Sequence, residues 1–184
     1  GDIHTANQEA AGLPTRADAK TFIYGFLYGA GDGKVGQIIG KGPKEGKAIK
    51  TKFLRKFPAL AKLKEKVSEA AEERGWIKGL DGRQIPIRHP HAALNTLLQS
   101  AGALICKRWY VCIEDNIRKA GYTEEDVAIV AFVHDEVQVQ VRQGIEDDIG
   151  KIIVRSIKDA EQYYQFKCPL DAEYTYGKNW ADTH

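Results

Sequence analysis

The chain has 184 residues and a mass of 20.5 kDa, room for one large or two small packed units, and its 43% hydrophobic content excludes wholesale disorder. No run approaches the ~20 apolar residues of a membrane span, and the opening GDIHTANQEA is too polar for a signal peptide, so a soluble cytoplasmic protein with no membrane partner is expected. The net charge of +2 hides a division: residues 1–110 carry 19 Lys/Arg against 10 Asp/Glu, and residues 111–184 carry 8 against 15. A basic half suits a polyanion, and an acidic half can host divalent cations.

In chain order, Arg16 to Tyr28, RADAKTFIYGFLY, reads as a helix with Thr15 as its cap and Gly29-Ala30-Gly31 at its end. Gly- and Lys-rich sequence follows to about Lys47. Two amphipathic helices are expected near 45–56 and 58–74, their lysines on a solvated face. Residues 76–88, WIKGLDGRQIPIR, have the form of a hairpin turning at Asp81-Gly82. A long, apolar helix spans about His91 to Ala120. VAIVAFV (127–133) and VQVQV (137–141) are strands separated by His134-Asp135-Glu136, and a helix from about Glu146 to Tyr164 and a last strand near Leu170 to Tyr174 complete the chain. The fold class is α+β: a helical half, then a small antiparallel sheet backed by helices. Cys106, Cys112 and Cys168 are odd in number without CxxC spacing, which points to reduced, mostly buried thiols rather than disulfides or zinc.

Two constellations carry chemistry. Arg16, Lys20, Tyr24 and Tyr28 recur every four residues along one helix face. Arg16 and Lys20 are like charges at i,i+4, unfavourable by a few tenths of a kcal/mol unless an anion lies with them. A triphosphate would be such an anion, with a tyrosine one turn on to stack under a base. An amphipathic helix with packed tyrosines and solvated cations fits the spacing equally. At the second, His134-Asp135-Glu136, two adjacent carboxylates occupy a place where a tight hairpin would use Asn-Gly or Asp-Gly. A hard divalent cation such as magnesium would offset their repulsion; a solvent-exposed acidic turn is the other reading. Together the two suggest phosphoryl or nucleotidyl transfer by a two-metal scheme, which needs at least two placed aspartates.

RADAKTFIYGFLYGAG resembles the fingers helix, motif B, of family A DNA polymerases, and VAFVHDEVQV resembles their palm motif C. GDIHT and HAALNTLLQSAGALI look like the replicative polymerases of short-tailed T-odd phages in particular. The resemblance covers nearly the whole chain. It implies a partial right-hand polymerase fold, with fingers over residues 1–90 and the C-terminal part of the palm over 91–184. It further implies a DNA-directed DNA polymerase of a phage, at work in the cytoplasm of an infected bacterium. His4, Arg16 and Lys20 would contact the incoming deoxynucleoside triphosphate, Tyr24 would stack on it, and Tyr28 would lie by the templating base. Asn95 and Gln99 match positions on the minor-groove side of the primer-template, His134 a contact to the primer end, and Arg83 and Arg88 candidate backbone-phosphate contacts. Asp135 would be the metal-binding aspartate and Glu136 its supporting carboxylate, with Lys20 counted beside them in catalysis and His184 near the active site.

One departure matters. The family's other metal-binding aspartate lies in motif A, a DxSxxE-like stretch that should precede His4 by some tens of residues, and residues 1–184 contain none, nor a thumb. A naturally split subunit is favoured because the sequence lies so neatly between motifs; the absence of methionine allows an excised domain or a fragment instead, and Gly1 does not fit the residue that follows an intein splice site. The expectation is a heteromer with an N-terminal polypeptide carrying motif A and the thumb, sharing a two-magnesium site and binding primer-template DNA and deoxynucleoside triphosphates. The alternative is a catalytically incomplete DNA- or nucleotide-binding module. A palm sheet without its motif A strand would leave apolar surface or a strand edge open.

Overall fold

The computed structural model describes residues 2–183, so the expectation at His184 lies outside the described residues. The chain forms two compact units, Gly1–Ser100 and Ala101–His184. Among the described residues no helix is long and apolar enough to cross a membrane.

The first unit begins with α1, Ile3–Ala11, which the sequence reading did not anticipate. Asp2 starts it by accepting from the His4 and Thr5 amides, and Gly12 ends it at φ 68°, a left-handed conformation glycine takes without strain. The second helix, α2, spans Arg16–Leu27 and opens with a full capping box: Thr15 accepts from the Asp18 amide while the Asp18 carboxylate accepts from that of Thr15. Its buried residues Ala19, Phe22 and Phe26 recur at three and four, which turns Arg16, Lys20 and Tyr24 outward. Phe22 and Phe26 pack edge-on against Phe53 at 5.1 and 5.3 Å between ring centroids.

Phe53 belongs to α4, Pro43–Lys56, which is followed at once by α5, Pro58–Arg74; each has proline in its first turn, where the missing N–H leaves no bond unmade. Ahead of them α3, Asp32–Gln37, forms within the stretch read as Gly- and Lys-rich connection. It is held by backbone contact: a Cβ at Gly46 would stand 2.6 Å from the Gly36 nitrogen and closer still to the Asp32 carbonyl oxygen. Lys50 of α4 ties the junction by pairing with Asp32 at 2.9 Å and donating to the Ala30 carbonyl at 3.1 Å.

Strands β1, Trp76–Lys78, and β2, Gln84–Pro86, form the antiparallel hairpin, Ile77 opposite Ile85, with Gly82 at φ 86° in the connection. After a short 3-10 turn at Pro90–Ala92 comes α6, Ala93–Lys119.

In the second unit Trp109, Ile113 and Ile117 of α6 recur every four residues and are buried against Ile149, Ile157 and Ala160 of α7, Glu146–Tyr163. Polar groups at this contact are satisfied: Trp109 Nε1 donates to the Ile153 carbonyl at 2.9 Å, and Asn116 Nδ2 to Ser156 Oγ at 3.0 Å. Strands β3, Val127–Val133, and β4, Glu136–Val141, pair antiparallel from Val127↔Val141 to Val133↔Glu136, with an irregularity between Ile129 and Ala131. Among the described residues the sheets are two separate two-stranded ribbons.

Two expectations are corrected. Leu170 to Tyr174 is not a strand. Side chains of α7 take its backbone groups instead: Glu161 accepts from the Leu170 amide at 2.6 Å, and Lys158 donates to the Leu170 carbonyl. Leu170 and Ala172 still pack on the core, so the alternating pattern reflects docking rather than strand pairing. The cysteines are free, as expected, but not mostly buried: Cys106 and Cys112 are half-buried and Cys168 is exposed.

Candidate functional site

The outer face of α2 carries the first constellation. Arg16, Lys20, Tyr24 and Tyr28 are all exposed, the two tyrosines by 52% and 60%. The anion that the Arg16/Lys20 spacing calls for is met in part within the chain. Asp2 accepts from Arg16 Nε at 2.5 Å and from Nη2 at 3.1 Å, which holds the Asp2 carboxyl far below the usual carboxylate range. Lys20 is exposed and makes no ion pair or hydrogen bond among the described residues.

His4, in the first turn of α1, is half-buried, and its ring lies tilted against Tyr24 at 6.3 Å between centroids. Its Nδ1 is buried without a hydrogen-bond partner among the described residues. At the other end of the face Gln99 Nε2 donates to the Tyr28 hydroxyl at 2.9 Å, which joins the end of α2 to α6. One turn back on α6 is the half-buried Asn95. The first unit thus gathers His4, Arg16 and Tyr24, and links Tyr28 with Gln99. Arg83 is engaged locally by Asp81, Nη2 to Oδ2 at 2.6 Å, while Arg88 is exposed with no ion pair among the described residues.

In the second unit β3 and β4 are joined by two residues, His134 and Asp135, because Glu136 already pairs with Val133. His134 takes the positive φ, 55°, that such a tight turn requires, a role usually given to Asn or Gly. Asp135 is exposed and its carboxylate has no partner among the described residues. Glu136 is half-buried and accepts from Gln138 Nε2 of the same strand. Burial raises the thiol pKa of the half-buried Cys106 on α6, and the charge of Asp135 raises it further, so that thiol shares the aspartate's surroundings. Asp135 and Glu136 are among the residues lining an open cleft of about 1300 Å³ between β4, the start of α7 and the segment from Tyr174 to Thr183. The ribbon also leaves apolar side chains in solvent, Val130 59% and Val133 47% exposed.

Two features escaped the sequence reading. Asp2 lies fourteen residues before Arg16 and carries only the signal of a helix cap. A basic groove along α4, lined by Lys44, Lys47, Lys52, Arg55 and Lys56 over an alanine floor, came across as a solvated face.

The arrangement offers cations and aromatic rings suited to a nucleoside triphosphate on one unit, and an unpartnered carboxylate suited to a hard cation on the other. Among the described residues no three His, Cys, Asp or Glu side chains cluster as a metal site. The carboxylates therefore fit magnesium in kind, while further ligands would have to come from elsewhere.

Comparison with known proteins gives a consistent result. The family model for DNA polymerase family A matches residues 2–182. The chain is 48% identical to the DNA-directed DNA polymerase of Escherichia phage T7 and 47% identical to that of Enterobacteria phage T3, in each case over 100% of this chain and 29% of the relative. It is 40% identical to that of Escherichia phage Phieco32, over 100% of this chain and 30% of the relative. It thus spans less than a third of the length of these curated relatives. Among solved structures, the POL domain of Pol1 from M. smegmatis, in complex with DNA primer-template and dNTP, superposes with a TM-score of 0.76 at 22% identity, covering 86% of this chain and 31% of that one.

Proposed function

Since the chain belongs to DNA polymerase family A, we propose that residues 1–90 act as the fingers and residues 91–184 as the C-terminal part of the palm of a DNA-directed DNA polymerase. The activity is template-directed nucleotidyl transfer in the cytoplasm of an infected bacterium, and the partners are primer-template DNA and deoxynucleoside triphosphates. The observation that carries this reading is the two-residue turn that presents Asp135 without a partner at the tip of an apolar ribbon.

Arg16 and Lys20 bind the triphosphate from α2, helped by His4, and their charge stabilises the negative charge that builds on the leaving pyrophosphate. Lys20 is suited to this because nothing in the described chain neutralises it. Tyr24 stacks on the nucleotide and Tyr28 stands by the templating base. Asn95 and Gln99 meet the minor groove, where acceptors shared by all base pairs allow shape to be tested without reading sequence. For that, the bond from Gln99 to Tyr28 must open. His134 contacts the primer end, and Arg83 and Arg88 serve backbone phosphate, Arg88 with its charge unpaired among the described residues.

Asp135 is the metal-binding carboxylate and Glu136 supports it. Magnesium, when bound, supplies neutralisation of phosphate charge and activation of the primer hydroxyl. One aspartate is too few for that scheme, and a second metal-binding carboxylate has to come from outside residues 1–184. The exposed Val130 and Val133 support an association along this ribbon.

Magnesium-dependent binding of a fluorescent deoxynucleoside triphosphate separates this reading from a DNA-binding module. Asp135→Asn should remove the magnesium dependence while leaving DNA affinity in place. Nucleotide binding with no response to magnesium or to Asp135→Asn would favour the binding module.

A further inference from the structure

The two oxygens of the Asp2 carboxylate collect five donors. Oδ1 accepts from the His4 amide at 3.4 Å and from Arg16 Nη2 at 3.1 Å; Oδ2 accepts from the Thr5 amide at 3.2 Å, the Thr5 hydroxyl at 2.8 Å and Arg16 Nε at 2.5 Å. One side chain therefore starts the helix that carries His4 and grips the residue that opens the nucleotide-facing helix.

Helix capping accounts for only part of this. Asn, Ser or Thr would cap α1 as well, whereas a side-on pair with Nε and Nη2 of an arginine calls for a carboxylate. Stability does not account for the rest. The pair is exposed, 57% for the Arg16 side chain and 39% for Asp2, and surface pairs of this kind add little. What the pair fixes is direction. A guanidinium has five N–H donors; with Nε and one Nη2 hydrogen taken by Asp2, the remaining three lie on the other edge of a plane that can no longer rotate freely.

We propose that Asp2 is a positioning residue of the nucleotide site, holding Arg16 with its free edge presented to an incoming triphosphate and fixing His4 on the same support. This rests on the reading of Arg16 as a triphosphate contact. The ionised state of Asp2 is secure at neutral pH because five donors hold its proton affinity down. Removing the carboxylate leaves Arg16 to be ordered by the nucleotide itself, at the expense of affinity.

The test titrates a fluorescent dATP analogue with magnesium into the 184-residue chain in four forms: unaltered, Asp2→Ser, Arg16→Gln and the double variant. Serine keeps the cap, so the thermal midpoint should hold while affinity falls roughly two- to tenfold, the effect of one side chain no longer held in place. In the Arg16→Gln background, Asp2→Ser should change nothing further, and Asp2→Asn, which keeps the cap and one acceptor, should fall between serine and aspartate. Equal losses in both backgrounds, unchanged affinity or tighter binding would each overturn the assignment. If the unaltered chain bound the analogue but ignored Arg16→Gln, the role of Arg16 would fall and Asp2 with it. Absence of binding by the unaltered chain would instead overturn the proposed function itself.

Discussion

Replacing a helical glycine by alanine ordinarily stabilises a protein by about 1 kcal/mol, because alanine restricts the unfolded chain. Two glycines in the first unit should respond with opposite signs. At Gly46 the added Cβ would stand 2.6 Å from the Gly36 nitrogen and closer to the Asp32 carbonyl oxygen, both of them backbone. No rotamer change relieves such a clash, so α4 must withdraw from α3, which strains the Lys50 bonds to Asp32 and Ala30. Overpacking of this kind costs about 1–3 kcal/mol; taking the upper end and subtracting the propensity gain leaves a net loss near 2 kcal/mol. At Gly25 in α2 the new Cβ would meet only the Ala30 Cβ, at an ordinary 3.6 Å, so Gly25→Ala should gain up to about 1 kcal/mol. Urea unfolding followed by circular dichroism gives both values. Stabilisation of the chain by Gly46→Ala would refute the argument that α3 owes its place to backbone contact.

Other consequences follow from single contacts. Thr15→Ala removes one half of the capping box and should destabilise α2 by about 1 kcal/mol in the same assay, with Thr15→Ser close to neutral. Gly150→Ala would set a Cβ 2.8 Å from Tyr174 Cγ and nearer to its ring edge, so the segment around Tyr174 should lift from α7 and lose hydrogen-exchange protection. Protection equal to that of the unaltered chain would show the ring is not seated there. Hydrogen bonds hold several carboxyls below their ordinary range, among them Asp2 by Arg16, Asp32 by Lys50, Asp126 by the Thr123 backbone amide and Asp147 by Lys151. A depressed folded-state pKa gives stability that is present above the unfolded value, about 3.9, and lost as pH falls through the folded one. The urea midpoint should therefore be level between pH 7 and about 5 and fall only below about 4; a decline centred near pH 6 would contradict this.

Much of the fold is legible where one local rule decides. The apolar spacing of Ala19, Phe22 and Phe26 and the Thr15 cap locate α2 almost to the residue, and Pro43 and Pro58 mark the helices after them. The charged turn between β3 and β4 is visible because charge interrupts two apolar runs. What stayed hidden depends on tertiary contact. The only buried apolar side chains of α1 are alanines, too small to mark a helix face. Two of the six residues of α3 are glycine, unfavourable locally and accepted because Gly36 and Gly46 let two backbones touch. LDAEY alternates like a strand, yet α7 captures its backbone groups with Glu161 and Lys158. The candidate site divides in the same way. Arg16, Lys20, Tyr24, Tyr28 and Asp135 stand out from spacing and resemblance, whereas Asp2 gains meaning only once α1 brings it to Arg16.

Primer extension tests the central claim most directly. The chain would be mixed with a polypeptide bearing motif A and the thumb, a primed template, magnesium and deoxynucleoside triphosphates. The account predicts extension that requires this chain and is abolished by Asp135→Asn, while Gly25→Ala leaves the fold intact as a control. Extension that persists with Asp135→Asn, or that proceeds without the chain, would contradict it.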